Sequence, residues 1–339
     1  MPATREGRQW RREDGGVENL PLFAEPASPR ERLAARLRQL AAEGILLGTS
    51  SWKYEGWIGQ IYTRERYMTR GRFSQRKFAD ECLAEYAEVF PAVGGDFSFY
   101  QFPSKSYWKR LFSVAPRALK FGLKVPEEIT VKEWPSHERY AGRAGKANEH
   151  YLDADLFRRA FLEPLEEDAD RVGVLIFEFG TMGKRHYENV EAFARDLQKF
   201  LRALPEGWRY SVEVRNREYL DEPYFDVLRE RGAAHVFNAW TRMPPLDEQA
   251  RIEAAFTADF LVARALLKQG RTYEQAVAMF EPYDRLREVN ESARRGLRML
   301  IERARQRRQM AFLFVNNRLE GNAPATIQAV VEGLPESSQ

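Results

Sequence analysis

The run Trp208–Asn216, with the sequence WRYSVEVRN, contains the pattern from which the architecture of the chain can be inferred. β-Branched and aromatic residues alternate in it with polar ones, which is typical of a β-strand. Because side chains alternate along a strand, Ser211, Glu213 and Arg215 share one face. A half-exposed surface strand would show the same alternation, so the interpretation depends on whether other strands carry similar polar residues.

Seven further segments have the composition of buried strands, and helical periodicity lies between most of them. The eight predicted strands cover residues 44–50, 92–100, 118–126, 172–179, 208–216, 233–240, 259–266 and 309–317. Alternation of strands and helices indicates a parallel sheet with right-handed crossovers, and eight such units can close into a barrel. We therefore predict an α/β fold, a TIM-like (β/α)8 barrel, with an open doubly wound sheet as the alternative.

The rest of the chain is assigned around these strands. Residues 1–28 are polar, charged and rich in glycine and proline, which predicts a flexible tail, and residues 29–334 are predicted to form a single barrel domain. The predicted helices cover residues 29–42, 73–89, 153–166, 188–204, 222–231 and 246–252, and two more begin at 104 and 324. A long helical insertion is predicted at about 270–308, before the last strand, and a polar loop at 127–151.

Composition narrows the class of protein. The 53 basic residues among 339 are balanced by 50 acidic ones, so the overall charge gives no argument for nucleic-acid binding. The single cysteine excludes an intramolecular disulfide. No apolar run approaches the ~20 residues that span a membrane, and the first residues lack the apolar core of a signal peptide. We expect a cytoplasmic protein without a membrane partner.

Polar residues gather near the ends of the predicted strands, where barrels place their active sites. The charged ones are Asp96, Lys124, Glu178, Glu213, Arg215 and Arg264. Burying one charged group without a partner costs on the order of several kcal/mol. Two interpretations follow, namely an ion-pair network that fixes strand register and a site for a polar ligand.

The ligand-site interpretation assigns a role to each type of residue. Neighbouring carboxylates can couple their titrations and divide acid and base roles, so Glu213, Glu178 and Asp96 are candidate catalytic residues. Cationic side chains bind phosphates or carboxylates, amides recognise hydroxyl groups or base edges, and aromatic rings stack on sugars or nucleobases. The candidate ligand-binding residues are Arg215, Lys124, Arg264, Asn238, Asn316, Asn317, Trp52, Tyr54 and Tyr100.

The histidines do not indicate a metal site. The chain has four of them, and their positions show no metal-ligand spacing. We therefore predict no metal and no other cofactor. An all-carboxylate Mg²⁺ site formed by Asp96, Glu178 and Glu213 is the alternative.

Seven segments, in chain order, are similar to the motifs of one known family. They are 48–57 (GTSSWKYEGW), 99–104 (FYQFPS), 121–126 (FGLKVP), 174–178 (VLIFE), 212–216 (VEVRN), 257–264 (TADFLVAR) and 314–317 (FVNN). On these motifs the chain resembles the YecE-like family, domain-of-unknown-function family 72, over about residues 45–331. The resemblance implies a TIM-like barrel, and the family has no established activity.

The sequence departs from that family at three positions near the predicted site. The family's Glu-x-Asn is Gly94-Gly95-Asp96 here, its Gln at the fourth strand is Glu178, and the His of its RLHG motif is missing from residues 264–267. An altered pocket predicts a different substrate from most of the family, or no catalysis.

Three functions compete on this basis. The first is an enzyme or binding protein for a small anionic or sugar- or phosphate-containing ligand, with Glu213 as the acid–base group. The second is a nucleic-acid-associated protein that uses the basic runs Arg294–Arg308 and Arg64–Lys77. The third is a non-catalytic scaffold with a degenerate pocket. In addition, Leu20–Phe23 (LPLF) resembles a sliding-clamp-binding motif, although an apolar tail packing on its own domain is the alternative.

Overall fold

A computed structural model describes residues 27–335 and shows a closed barrel of eight parallel strands. The strands, labelled β1 to β8, are Ile45–Thr49, Ala92–Gly95, Lys120–Lys124, Val172–Phe179, Tyr210–Val214, Ala234–Ala239, Phe260–Ala265 and Met310–Val315. Each strand pairs with its sequence neighbours, and β1 closes the barrel by pairing with both β8 and β2. The predicted α/β TIM-like fold is confirmed. The Leu20–Phe23 motif and nearly all of the predicted tail lie outside the described residues.

Helices surround this barrel. The α-helices are Pro29–Ala42, Gln75–Tyr86, Lys105–Ser113, Glu127–Thr130, Ala154–Phe157, Val190–Ala203, Glu222–Arg231, Leu246–Gln249, Tyr273–Phe280, Glu291–Arg307, Asn317–Glu320 and Ala323–Glu332. The 3₁₀ segments are Glu55–Trp57, Arg64–Tyr67, Asp96–Phe99, Glu138–Arg143, Glu163–Arg171, Arg217–Tyr219 and Glu253–Ala255, and Arg158–Leu162 is a π-helix. A short hairpin joins Met68–Thr69 to Arg72–Phe73. Within residues 27–335 no helix is both long and apolar enough to cross a membrane.

Alternating side chains fill the barrel lumen in layers. A separate apolar cluster includes Val174, Val262 and Phe312, which come from alternating positions of their strands. The ring of Phe314 occupies the space beside Gly122, where an added Cβ would lie 2.3 Å from a ring carbon. Continuing the same alternation towards the C-terminal ends of the strands leads to the charged residues. The lumen is therefore polar where the C-terminal ends of β1 to β8 meet, an end that we call the barrel mouth. It is apolar on the side of the N-terminal ends of the strands.

The predicted second strand is too long. Only Ala92–Gly95 is extended, and a 3₁₀ turn at Asp96–Phe99 replaces the rest of the segment 92–100. The backbone of β2 packs closely against its neighbours at the two glycines. A Cβ on Gly94, for example, would lie 3.0 Å from the Cα of Ser50. The prediction that Asp96 lies within the second strand is therefore wrong, and Asp96 lies on the turn that follows it.

Two helical predictions also change in the structure. The segment 273–308 contains two helices, Tyr273–Phe280 and Glu291–Arg307, which are separated by ten residues that include Pro282. Proline has no amide hydrogen and cannot continue a helix that precedes it, while the Asn290 side chain caps the second helix by accepting from the amide of Ala293. The predicted helix 153–166 is a succession of short α, π and 3₁₀ segments that extends to Arg171.

Candidate functional site

The six charged residues that the sequence placed at strand ends meet at the barrel mouth. We call Asp96, Lys124, Glu178, Glu213, Arg215 and Arg264 the charged cluster. Register explains part of the convergence, because Glu178 on β4 lies directly beside Glu213 on β5. Two adjacent carboxylates repel each other unless cations separate them, and here two cations, Arg215 and Arg264, contact both.

Arg264 bridges all three acids. Its Nη1 donates to Glu178 Oε2 at 2.7 Å and to Glu213 Oε2 at 2.6 Å, while its Nη2 donates to Asp96 Oδ1 at 2.7 Å. Arg264 lies on β7 and the acids come from β4, β5 and the turn after β2. One guanidinium therefore ties together elements from across the barrel, using the planar fork of donors that suits several carboxylates.

Glu178 is the second centre of the cluster. Its Oε2 lies 2.9 Å from Lys124 Nζ and 2.8 Å from Arg215 Nη2, in addition to Arg264. Arg215 Nη2 also lies 2.8 Å from Glu213 Oε1. Three cations balance three acids, so the cluster is neutral when all six groups are ionised.

Aromatic rings cover two of the cations. Lys124 Nζ lies 3.5 Å from the centre of the Phe99 ring, and the Arg215 guanidinium lies 3.6 Å from the centre of the Trp240 ring. A ring face attracts a cation and excludes water from it. The two rings therefore fix the position of each cation and lower its exposure to solvent.

Exposure within the cluster is uneven. The side chain of Glu213 is fully enclosed, that of Glu178 is 13% exposed and that of Asp96 is 37% exposed. Burial alone would raise the pKa of Glu178, but the charges of Arg215, Lys124 and Arg264 outweigh it and hold this pKa well below its usual range. Glu178 is therefore a carboxylate at neutral pH, and a molecule that enters the barrel mouth meets Asp96 first.

The pKa of Arg264 shifts in the opposite direction to that of Glu178. Burial lowers the pKa of its guanidinium, but Glu213, Asp96 and Glu178 together raise it above the ordinary value. The guanidinium and the Glu178 carboxylate thus reinforce each other's charged state. Mutual pairing of this kind is what the ion-pair interpretation predicts, while the open carboxylates of Asp96 and Glu178 are what the ligand-site interpretation needs.

The three asparagines predicted for ligand binding hydrogen-bond mainly to backbone. Asn238 Nδ2 donates to the carbonyls of Val214 and Val236. Asn316 Oδ1 accepts from the amide of Arg318, and Asn317 Oδ1 accepts from the amide of Ala323. Asn238 Oδ1 and Asn317 Nδ2 remain buried without a partner in the described structure. The asparagines position strand ends and turns, and their contact with a ligand stays a prediction.

The predicted aromatic residues separate into different environments. Trp52 is buried edge-on against Phe97 at 5.8 Å between ring centres. Tyr54 packs against Trp57, with ring centres 4.9 Å apart. Tyr100 is 61% exposed, and the Arg139 guanidinium lies 4.7 Å from its ring centre.

The carboxylates of the cluster face guanidinium and ammonium groups, and all three accept from Arg264. Within residues 27–335, no three His, Cys, Asp or Glu side chains are placed to hold one metal ion. His235 is buried, and burial lowers its pKa to about 3.

Sequence reasoning missed Phe99, Trp240 and Arg318, the last of which has its guanidinium 4.5 Å from the centre of the Tyr273 ring. Trp240 ends the predicted strand 233–240, and its position two residues after Asn238 was an available signal. Phe99 belongs to the FYQFPS motif, and Arg318 follows Asn317 directly at the end of β8. Local sequence gives no sign of the cation–ring contacts, because they depend on how loops fold over the barrel mouth.

Two surface cavities lie away from the charged cluster. One, of about 700 Å³, is lined in part by Pro29, Ile58 and Gln328, and the other, of about 490 Å³, by Trp52, Arg76 and Tyr107. Neither cavity is lined by any of the six cluster residues. The charged cluster therefore lies outside both of these cavities.

Most of the basic residues in the run Arg294–Arg308 are already paired within the protein. The pairs are Arg294–Glu320, Arg295–Asp247, Arg303–Glu253 and Arg305–Glu43, at 2.6–2.9 Å. In the run Arg64–Lys77, Arg66 pairs with Glu88 at 2.6 Å. These ion pairs lower the charge that the two runs present to a partner, and nucleic-acid binding stays a prediction.

Comparison with known proteins agrees with the barrel. A family model described as "Protein of unknown function DUF72" matches residues 46–339. A DUF72 family protein of Thermotoga maritima MSB8 is 19% identical, with a TM-score of 0.54 over 85% of this chain and 98% of that one. A DUF72 family protein of Enterococcus faecalis V583 is 15% identical, with a TM-score of 0.53 over 85% of this chain and 96% of that one. At these identities the likeness shows the fold alone. The sequence matches none of the curated proteins with which it was compared.

Proposed function

The chain belongs to DUF72, a protein family of unknown function, so its activity must be inferred from its own residues, and we propose that the barrel mouth binds a small anionic or sugar- or phosphate-containing ligand. Whether the bound ligand also reacts is a separate step. The charged cluster supports ligand binding more directly than a reaction, because its accessible carboxylates are hydrogen-bond acceptors held in a fixed position.

The observation that carries the proposal is the uneven exposure of the cluster. Asp96 Oδ1 accepts from Arg264, while the side chain as a whole keeps 37% of its surface open. Glu178 keeps 13% of its surface open although three cations surround its Oε2. A purely structural ion-pair network gains nothing from open carboxylates, whereas a ligand rich in hydroxyl groups can donate hydrogen bonds to them.

The cations have two roles in the proposed site. Lys124, Arg215 and Arg264 hold the pKa of Glu178 below its usual range, and they are the proposed binders of an anionic group. An anion at Arg264 replaces Asp96, the most exposed of its three partners. Arg264 keeps an anionic partner in such an exchange, and the displaced Asp96 carboxylate turns to solvent, which limits the cost.

Glu213 is the proposed acid–base group if the site is catalytic. Its carboxylate is enclosed between Arg215 and Arg264, so it can exchange a proton only when a ligand draws one of these arginines away. This requirement links catalysis to ligand binding. It also distinguishes Glu213 from Asp96, which contacts a ligand without any rearrangement.

Thermal denaturation of the full chain tests the binding site. We expect ribose 5-phosphate at saturating concentration to raise the Tm by a few degrees, roughly the effect of 1–2 kcal/mol of binding linkage. Asp96→Asn should remove most of the smaller shift that ribose alone produces, because the amide accepts weaker hydrogen bonds from hydroxyl groups than the carboxylate does. Ribose and inorganic phosphate serve as the partial probes.

The matched control is Asp80→Asn, since Asp80 is an exposed acid on the outer helix Gln75–Tyr86, with a side chain that is 68% exposed. The control should keep the full shift. If the two variants respond alike, or if none of the three probes stabilises the wild-type protein, the proposed site at Asp96 is wrong.

A further inference from the structure

One arginine at the barrel mouth lacks the acidic partner that the cluster cations have. The Arg318 guanidinium lies 4.5 Å from the centre of the Tyr273 ring. No carboxylate within residues 27–335 lies within ion-pair distance of it, and three acids of neighbouring segments pair with other cations. These pairs are Asp284–Arg287, Glu288–Arg271 and Glu320–Arg294. Arg318 is thus a half-buried cation without an ion-pair partner in the described part of the chain.

Tyr54 connects Arg318 with the charged cluster. Tyr54 follows the end of β1, and its ring packs edge-on against Tyr283 with centres 5.5 Å apart. Burial raises the pKa of the Tyr54 hydroxyl, Arg318 lowers it and Asp96 raises it. The strand register also brings the two residues together, because Tyr54 follows β1, Arg318 follows β8, and these strands pair through their last residues, Thr49 and Val315.

We propose that Arg318, with Tyr54 and Tyr273, binds the anionic group of the ligand, and that this ligand is a phosphorylated sugar whose hydroxyl groups reach Asp96. This inference rests on the proposed function and refines it, because it moves the principal anion site from the cluster cations to a residue outside the cluster. It also names the ligand class, a phosphate monoester with free hydroxyl groups.

Charge balance is the reason for preferring Arg318. Three acids already neutralise Lys124, Arg215 and Arg264, so an anion must displace a carboxylate before it can bind them. Arg318 has no such competitor. Its planar fork of donors matches two oxygens of a phosphate group, and stacking on Tyr273 holds the plane of the guanidinium in place. The Tyr54 hydroxyl can donate a third hydrogen bond.

Titration calorimetry on the full chain tests the inference with three probes, ribose 5-phosphate, ribose and inorganic phosphate. Arg318→Met should weaken ribose 5-phosphate about tenfold or more, bring its affinity down to that of ribose, and leave ribose itself unchanged. Arg251→Met is the matched control, because Arg251 is exposed and lies in the segment that leads to the N-terminal end of β7, away from the mouth. The control should bind all three probes as the wild type does.

The variant Asp96→Asn separates this inference from the proposed function. If the anion binds at Arg318, removing the Asp96 charge weakens ribose and ribose 5-phosphate by a similar factor. If Asp96→Asn instead tightens inorganic phosphate while Arg318→Met has no effect, the anion site is Arg264; the inference is then overturned and the proposed function stands. Phosphate binding that Arg318 controls, without any binding of ribose, upholds the anion site at Arg318 but overturns the phosphorylated sugar as its ligand and the hydroxyl site at Asp96. Absence of binding by all three probes overturns both.

Discussion

At the scale of single residues, a few shared atoms make most of the ion-pair contacts in the charged cluster. Glu178 Oε2 receives three cations, and Arg264 Nη1 serves two carboxylates. Charge-assisted hydrogen bonds in an enclosed site are stronger than surface ion pairs, but their loss is also more costly, since the partner is left charged and unpaired. Each side chain in the cluster therefore affects stability as well as any binding function.

Glu213→Gln measures that dependence. The substitution leaves Arg215 and Arg264 without an enclosed carboxylate partner, and breaking a buried pair in this way costs about 3–5 kcal/mol. We expect urea denaturation to show a loss of this size in the free energy of unfolding. Glu253→Gln is the control, because Glu253 pairs with Arg303 at the surface with its side chain 73% exposed, and its loss should be far smaller. Equal effects from the two variants would show that the cluster contributes no more than a surface pair.

His235 gives a prediction for the pH dependence of stability. Burial lowers its pKa to about 3 in the folded protein, whereas an unfolded histidine titrates near ~6.5. Between these values the unfolded chain binds a proton that the folded chain does not, so stability falls as the pH falls. Above ~4.5, where few carboxylates titrate, we expect His235→Gln to reduce the slope of unfolding free energy against pH by up to about 1.4 kcal/mol per unit. His150→Gln, at an exposed position, should keep the wild-type slope, and identical slopes for all three proteins would contradict the assignment.

At the scale of elements, the strands could be predicted from sequence and the turns could not. Val172–Phe179 and the helix Glu222–Arg231 coincide with the predicted bounds, because hydrophobic periodicity and helix caps are local signals. The turn Asp96–Phe99 was predicted as strand, since its alternation resembles one and only the close packing of β2 against Ser50 and Leu123 shows where extension ends. That turn carries both Asp96 and Phe99, so the error fell on the site itself.

Gly48→Ala tests how closely the paired strands β1 and β2 pack against each other. A Cβ at this position would lie 1.8 Å from the carbonyl oxygen of Ala92, a backbone atom of the paired strand that cannot move without separating the strands. We expect a loss of about 3 kcal/mol or more in urea denaturation, at the upper end of the effects of overpacking. Gly180→Ala has no atom within 4 Å of its added Cβ, and it should stay within about 0.5 kcal/mol of wild type. A Gly48→Ala protein as stable as this control would contradict the close contact between Gly48 and the carbonyl oxygen of Ala92.

At the scale of the whole molecule, the arrangement of charge follows from the barrel. Closing eight parallel strands brings their C-terminal ends together, which made the convergence of residues as distant as Asp96 and Arg264 predictable from sequence. The same closure does not show which cation keeps a free charge, because that depends on the acids supplied by loops and helices. Arg318 was missed for this reason, and the pairing of the helix Glu291–Arg307 with four other segments was missed likewise.

The nucleic-acid alternative can be decided on that helix. Four of its arginines are paired with Glu320, Asp247, Glu253 and Glu43, so the run presents much less charge than its sequence indicates. We expect Arg307→Gln/Arg308→Gln, at its C-terminal end, to leave the affinity of the full chain for a DNA duplex unchanged in fluorescence anisotropy. Arg32→Gln/Arg36→Gln, on the helix Pro29–Ala42, is the control for the loss of two positive charges. If the helix did contact phosphates, the slope of log K against log salt would fall by about 0.9 for each contact removed, between roughly 50 and 200 mM salt. A change of that size in the Arg307/Arg308 variant, absent from the control, would favour nucleic acid over a small ligand as the partner of this protein.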